Sequence, residues 1–161
     1  MRKYEPFGPF DIDYEALQDG KRPQHFWKGP ASALAPRRGI YVFGIRAGQG
    51  MTPWYVGQAT KSFKQEIFQD GKLLKYLAAL NKYRRGTPIM FFIARHGRGA
   101  IKASQAREIE RFLIHTGWKR NPGIRNINDV GIPDWGIKGV LRGGIGKPSR
   151  SARAFRRLMG V

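Results

Sequence analysis

Cysteine is absent from this chain of 161 residues, which excludes a disulfide framework, a thiolate zinc site and a cysteine nucleophile. Long apolar runs are absent too. The longest, Ile40 to Ile45 and Ile89 to Ala94, are strand-sized and far too short to span a bilayer. No N-terminal stretch joins a basic start to an apolar core, so no signal peptide is expected and a cytoplasmic protein is the economical reading. Acidic residues are scarce, 11 against 30 Lys and Arg, for a formal net charge of +19. Internal repeats and low-complexity tracts are also missing. What is present is 41% apolar residues, enough for one real core in a single ordinary domain with an appended arm or tail.

The charge points to a partner. Such an excess of one sign opposes the compact state by self-repulsion unless a polyanion or counterions screen it. Nucleic acid is the obvious polyanion, because a strongly basic domain is its usual electrostatic footprint. An anionic membrane fits less well, since the basic residues are spread along the chain and not gathered on one amphipathic helix.

Along the chain, residues 1–38 carry prolines and several aromatics (Tyr4, Phe7, Phe10, Tyr14, Phe26, Trp27) and read as an irregular arm packed on the domain, with one short helix around Tyr14 to Gln18. Gly39 to Ile45 (GIYVFGI) is apolar on both faces and predicts a buried strand. A glycine-bearing loop, Arg46 to Thr52, then leads to a short strand at Pro53 to Gly57, which together make a hairpin. Ser62 with Gln65 is a capping-box signal for a first helix. Lys72 to Tyr83 predicts a second, with Leu73, Leu74, Leu77 and Leu80 as its stripe. Pro88 to Arg95 predicts a third strand. Lys102 to Thr116 predicts a third helix with Ala106, Ile109 and Leu113 inward and Gly117 as its stop. Beyond residue 118 the chain is loop-rich, with a strand at Gly136 to Leu141 and a basic helix at Ser149 to Met159. From Trp135 onward there are seven Lys or Arg and no acid. The order β–β–α–α–β–α predicts an α/β (α+β) sandwich around a three-stranded antiparallel sheet.

On these residues the chain resembles the GIY-YIG nuclease family. Gly39-Ile40-Tyr41 matches the first family triplet and Tyr55-Val56-Gly57 the second, with thirteen residues between the two tyrosines, close to the family's hairpin spacing. Glu110 followed by Leu113 and Ile114 reproduces the family's glutamate on the third helix, and Asn126 in NPGIRN fits its later asparagine. The resemblance covers 39–128, leaving 1–38 as the arm and 129–161 as a basic C-terminal extension. KSFKQEIF at 61–68 and WGIKGVLR at 135–142 look like an uncharacterised bacterial branch of the family. One position departs from the pattern. The family carries an arginine on the first helix where Gln65 stands here, with Lys64 or Lys72 as the candidates to supply the missing positive charge.

The resemblance implies metal-dependent endonuclease chemistry on nucleic acid, DNA more than RNA. Phosphodiester hydrolysis needs a deprotonated water, neutralised phosphoryl oxygens and a stabilised leaving group, and one divalent metal supplies the last two. Mg²⁺ or Mn²⁺ is the implied cofactor, because magnesium accepts one carboxylate plus waters and a substrate phosphate oxygen. Glu110 is the implied metal ligand. Tyr41 is expected to act as, or help activate, the general base, which requires nearby positive charge to lower its pKa. Tyr55 is expected to orient water or phosphate. Gly57 is expected to let the chain turn tightly and approach phosphate, Asn126 to orient phosphate or the glutamate, and Arg150, Arg153 and Arg156 to grip backbone phosphates. His25, His96 and His115 are scattered and make no metal-ligand spacing. The competing readings are a non-catalytic nucleic-acid-binding protein on the same scaffold and a basic assembly protein of a phage or ribosome-like particle.

Overall fold

The computed structural model describes residues 4–82, 85–95, 97, 99–125, 137–140 and 146–160, residue 156 by its backbone only. The chain divides into two units, Met1–Asn126 and Ile127–Val161.

The larger unit is built on one antiparallel sheet of four strands: β1 (Tyr4–Asp11), β2 (Gly39–Ala47), β3 (Gly50–Ala59) and β4 (Thr87–Arg95), in the spatial order β1-β4-β2-β3. The expected sheet of three strands is therefore incomplete. The added strand is β1, from the arm that its prolines marked as irregular. Pro6 and Pro9 have no N–H to give a ladder, which restricts such a segment to an edge. That is where β1 lies, paired on one side with β4 and broken by a register shift between Phe7 and Phe10. Gly8 permits the shift, with φ +127° and its Cα so close to β4 that a Cβ would stand 2.8 Å from the Met90 carbonyl.

β2 and β3 form the expected hairpin, but its strands extend to Ala47 and from Gly50, with only a tight turn between them. The register sets Tyr41 opposite Gly57 and Phe43 opposite Tyr55, with a shift between Phe43 and Gly44. Short helices follow the chain order: α1 (Tyr14–Gln18), capped by the Asp13 carboxylate, and α2 (Phe63–Glu66), capped by the Ser62 hydroxyl. α3 (Asp70–Lys82) buries Leu73, Tyr76, Ala79 and Leu80. Leu73 and Leu80 are inward as expected, but Tyr76 and Ala79 complete the stripe, and Leu74 is left 67% exposed. Tyr76 takes the inward place because its ring stacks on Phe43 at 4.3 Å and its hydroxyl donates to the Ile67 carbonyl at 2.7 Å, so its polar end is satisfied in the core.

α4 (Ala103–Arg120) lies mainly against β3. It runs through Gly117, where the sequence suggested a stop. Gly117 is buried so closely that a Cβ would meet Ile124 Cδ1 at 2.9 Å, so the glycine serves close packing within the helix. The core gathers around Phe92, with Phe10, Trp27 and Phe63 rings within 4.5–5.8 Å of it.

In the smaller unit α5 (Arg150–Met159) begins at Ser149, whose hydroxyl accepts from the Ala152 amide at 3.1 Å. Ala152 is buried beneath the turn 137–140, while Phe155, Leu158 and Met159 are exposed. A strand was expected over 136–141; of its described residues, 137–140, Ile137 makes a single bridge and 138–140 form a turn closed by the Val140 amide donating to the Ile137 carbonyl at 2.9 Å. Among the described residues no helix is long and apolar enough to cross a membrane.

Candidate active site

Antiparallel pairing alone decides how the two tyrosines meet. Tyr41 and Phe43 stand two residues apart on β2, and Tyr55 faces Phe43 from β3, so Tyr41 and Tyr55 are diagonal neighbours. Their ring centroids are 6.0 Å apart at 39°. The position directly opposite Tyr41 is Gly57, where a Cβ would lie 2.5 Å from both Cζ and Oη of Tyr41. The Tyr41 ring occupies the space that any other residue at 57 would fill. Gly57 sits within β3, so the turn expected there is corrected: the glycine makes room for a phenol.

α3 brings the cations. Lys72 Nζ stands 5.3 Å from the Tyr41 ring centroid and Lys75 Nζ 4.8 Å from that of Tyr55. Lys72 is held from below: its ammonium donates to the Glu66 carbonyl at 2.9 Å and lies 3.9 Å from the Glu66 carboxylate. Glu66 in turn accepts from the Thr60 hydroxyl at 3.2 Å and from the Lys61 amide. Burial pushes the Lys72 ammonium below the ordinary lysine range, opposed by the Glu66 carboxylate, assisted by Lys75 and opposed again by Glu110. Lys72 therefore lies within electrostatic reach of Glu110, 38 residues further along the chain.

Glu110 is half-buried on α4, within the row Ala106, Glu110, Ile114 and Gly117, the other three of which are buried. The core stripe expected to be Ala106, Ile109 and Leu113 is rotated, which puts Glu110 on the inward face itself; Ile109 and Leu113 are only half-buried.

Tyr41 departs from expectation in its ionisation. Its hydroxyl is buried and has no partner of good hydrogen-bond geometry, although the phenols of Tyr55 and Tyr76 are close enough to act on it. Burial first, then the Tyr76 and Tyr55 phenols, hold its pKa far above the ordinary value of a phenol. Tyr76 is shifted the same way, chiefly by burial. The overhead lysine does not reverse this. Tyr41 stays a neutral phenol, able to donate a proton in a hydrogen bond but not to accept one as a base near neutral pH.

Lys64 is exposed on α2, and Gln65 is exposed with its side chain tied to the Ser62 hydroxyl at 3.1 Å in the capping box. Of the two lysines weighed against the missing arginine, only Lys72 meets the tyrosines. Arg150 and Arg153 are exposed on α5 of the second unit, where Arg153 donates to the Pro148 carbonyl at 3.1 Å. Asn126, the side chain of Arg156 and His96 lie outside the described residues. Asn121, at the other end of NPGIRN, is buried and structural: it donates to the Pro53 carbonyl at 2.8 Å and accepts from the Gly123 amide at 3.0 Å.

Sequence reasoning missed Glu66, Lys75 and Tyr76. A lysine three residues after Lys72 on one helix face, and a tyrosine at a core spacing, were the available signals. Among the described residues no three His, Asp or Glu side chains cluster, so the donor set does not fit an all-protein metal cage. It does fit magnesium, which needs one or two carboxylates and takes its other ligands from water and substrate phosphate; Glu110 would be the protein ligand. Two surface cavities, of about 700 and 460 Å³, are lined by Asp13, Arg22 and His25 and by Arg37, Arg38 and Gly97, away from every candidate residue. Comparison with family models, with curated proteins and with solved structures gives no match to this chain.

Proposed function

We propose that this chain is a metal-dependent endonuclease of the GIY-YIG type that hydrolyses phosphodiester bonds in nucleic acid, DNA in preference to RNA. The observation that carries the reading is the position of Lys72, with its ammonium over the Tyr41 ring and within electrostatic reach of Glu110. Residues 41, 55, 72 and 110 come from four different elements; the resemblance singled out Tyr41, Tyr55 and Glu110, while Lys72 was one of two candidates for the missing arginine.

In this reading Glu110 would hold Mg²⁺ or Mn²⁺, which would supply water activation and charge neutralisation at the phosphoryl oxygens. Lys72, fixed by Glu66, adds a positive charge for the phosphate and stands in for the arginine replaced by Gln65. It does so as a single ammonium and without the bidentate fork of a guanidinium. Tyr55 orients water or phosphate, and Tyr41, buried beside it, supports the Tyr55 ring and the Lys72 ammonium from beneath. A cytoplasmic setting accords with a chain without cysteine.

A second reading is favoured by one specific observation. Tyr41 is buried and neutral, which suits a scaffold that binds nucleic acid without cutting it. Incubating plasmid, linear, branched and RNA substrates with Mg²⁺ or Mn²⁺ separates the two. The nuclease reading expects cleavage that Glu110→Ala and Lys72→Met both abolish. Cleavage unchanged in Glu110→Ala would remove Glu110 as the metal ligand, and salt-sensitive binding without cutting would favour the binding protein.

A further inference from the structure

Lys72 and Lys75 are not the only lysines of α3 seated on an aromatic ring. Lys82 Nζ lies 5.4 Å from the Trp54 ring centroid. Three lysines of one helix thus stand over three consecutive aromatic platforms of the β2–β3 hairpin: Tyr41, Tyr55 and Trp54. At 3.6 residues per turn, Lys72, Lys75 and Lys82 fall within about 80° of one another around the helix, so they form one row. With a rise of 1.5 Å per residue the row is about 15 Å long. The one acid of α3, Asp70, is outside the row and ion-paired with Arg22 at 3.2 Å. At the Lys72 end, Glu66 lies 3.9 Å from the ammonium and Glu110 acts on it as well.

An aromatic ring beneath each lysine restricts the long stem, which lowers the side-chain entropy lost when the ammonium meets an anion. A row of such restricted cations matches a row of anions. A nucleic-acid strand presents one phosphate per about 3.4 Å of axis, so 15 Å corresponds to roughly four or five nucleotides. From this we infer that Lys72, Lys75 and Lys82 form a phosphate track along α3 that holds one nucleic-acid strand and leads it to the Tyr41–Glu110 end. The inference rests on the nucleic-acid part of the proposed function and is independent of whether the chain cuts.

The test is the salt dependence of binding, measured in a chelator so that cleavage and metal play no part. Fluorescence anisotropy with a short labelled oligothymidylate yields log Kd against log salt concentration for the native chain and for Lys75→Met, Lys82→Met and the double variant. Methionine keeps an unbranched stem over the ring and removes the charge. Each single variant is expected to flatten the slope by about 0.7 and the double variant by about 1.4, the contribution of one and two phosphate contacts on a single strand. Lys75→Arg is expected to keep the native slope, and Lys21→Met, which removes a cation paired with Asp19, to leave it unchanged. If the lysines only pack on the rings, melting temperatures move while the slope does not, and the track is overturned with the nuclease reading untouched. Lys82, exposed where Lys72 and Lys75 are half-buried, supplies the variant least able to disturb folding. No salt-dependent binding by the native chain would overturn the track and the nucleic-acid reading together.

Discussion

A methyl group added at Gly57 would stand 2.5 Å from the Tyr41 hydroxyl oxygen, and the ring has no exposed side to move toward, since Tyr41 is fully buried. Gly57→Ala is therefore expected to destabilise the fold by about 1–3 kcal/mol, as overpacking does, and thermal melting measures it. A variant as stable as the native chain would show that the ring yields freely. Glu110→Gln tests the other end of the site. It keeps shape and removes charge, so the fold is expected to persist while Mg²⁺-dependent cutting falls by roughly 100-fold or more; equal rates would exclude the carboxylate from the chemistry. The buried phenols predict a pH dependence of stability. Tyr41 and Tyr76 have folded pKa values raised above the phenol's ordinary value near 10. Below that value both states hold the protons. Above it the unfolded chain releases protons the folded chain retains, so stability falls with rising pH by about 1.4 kcal/mol per unit for each such phenol. Lys72, with its pKa lowered, acts in the opposite sense below its ordinary value near 10.4, where stability rises with pH. Denaturant titrations above pH 10.5 isolate the phenols, and Tyr41→Phe is expected to make the decline shallower.

At the scale of elements, β1 carries the sharpest expectation. An arm that merely packs on a domain can be removed at small cost, whereas a paired strand cannot. Deleting residues 1–12 would strip β4 of one of its two partners, leaving only β2, and expose a row of unpaired backbone groups next to the buried Met90 and Phe92. The truncated chain is expected to aggregate or to lose its cooperative melt, observed by light scattering and circular dichroism; a soluble, equally stable product would mean that β1 adds little. The same strand shows where sequence reading stops. β2, β3 and β4 were legible because β-branched and aromatic residues run without interruption. β1 was not, because Pro6, Gly8 and Pro9 break the local signal and only β4's free edge accommodates them. Helices behaved likewise. The existence of α2, α3, α4 and α5 follows from caps and periodicity, but the inward face was only partly legible: Leu73, Leu80 and Ala106 are buried as expected, whereas Leu74 is exposed and Glu110 is half-buried like Ile109 and Leu113. Apolar periodicity identifies a stripe by composition, whereas the buried side is chosen by shape, and the Tyr76 ring stacked on Phe43 fits better than a leucine.

For the molecule as a whole, +19 of net charge bears on stability and on the proposed polyanionic partner. With 30 Lys and Arg against 11 Asp and Glu, most of the basic side chains have no acid to pair with, and the excess is left to self-repulsion. Raising salt from low ionic strength to near-physiological levels, where the screening length is about 8 Å, is expected to raise the melting temperature, and a short DNA duplex is expected to raise it further by binding the folded state. A melting temperature insensitive to both would mean that the charge is already dispersed harmlessly over the surface. Charge, absence of cysteine, the order of elements after residue 39 and the candidate residues Tyr41, Tyr55 and Glu110 all follow from the sequence by itself, because composition is additive and turn, cap and strand signals act over a few neighbours. Three things were decided only by the tertiary structure: that the arm supplies a fourth strand, that Lys72 and not Lys64 meets the tyrosines, and that the Tyr41 phenol stays protonated. Each depends on contacts between residues tens of positions apart, and desolvation, which fixes the charge state of a phenol, exists only once those contacts have closed around it.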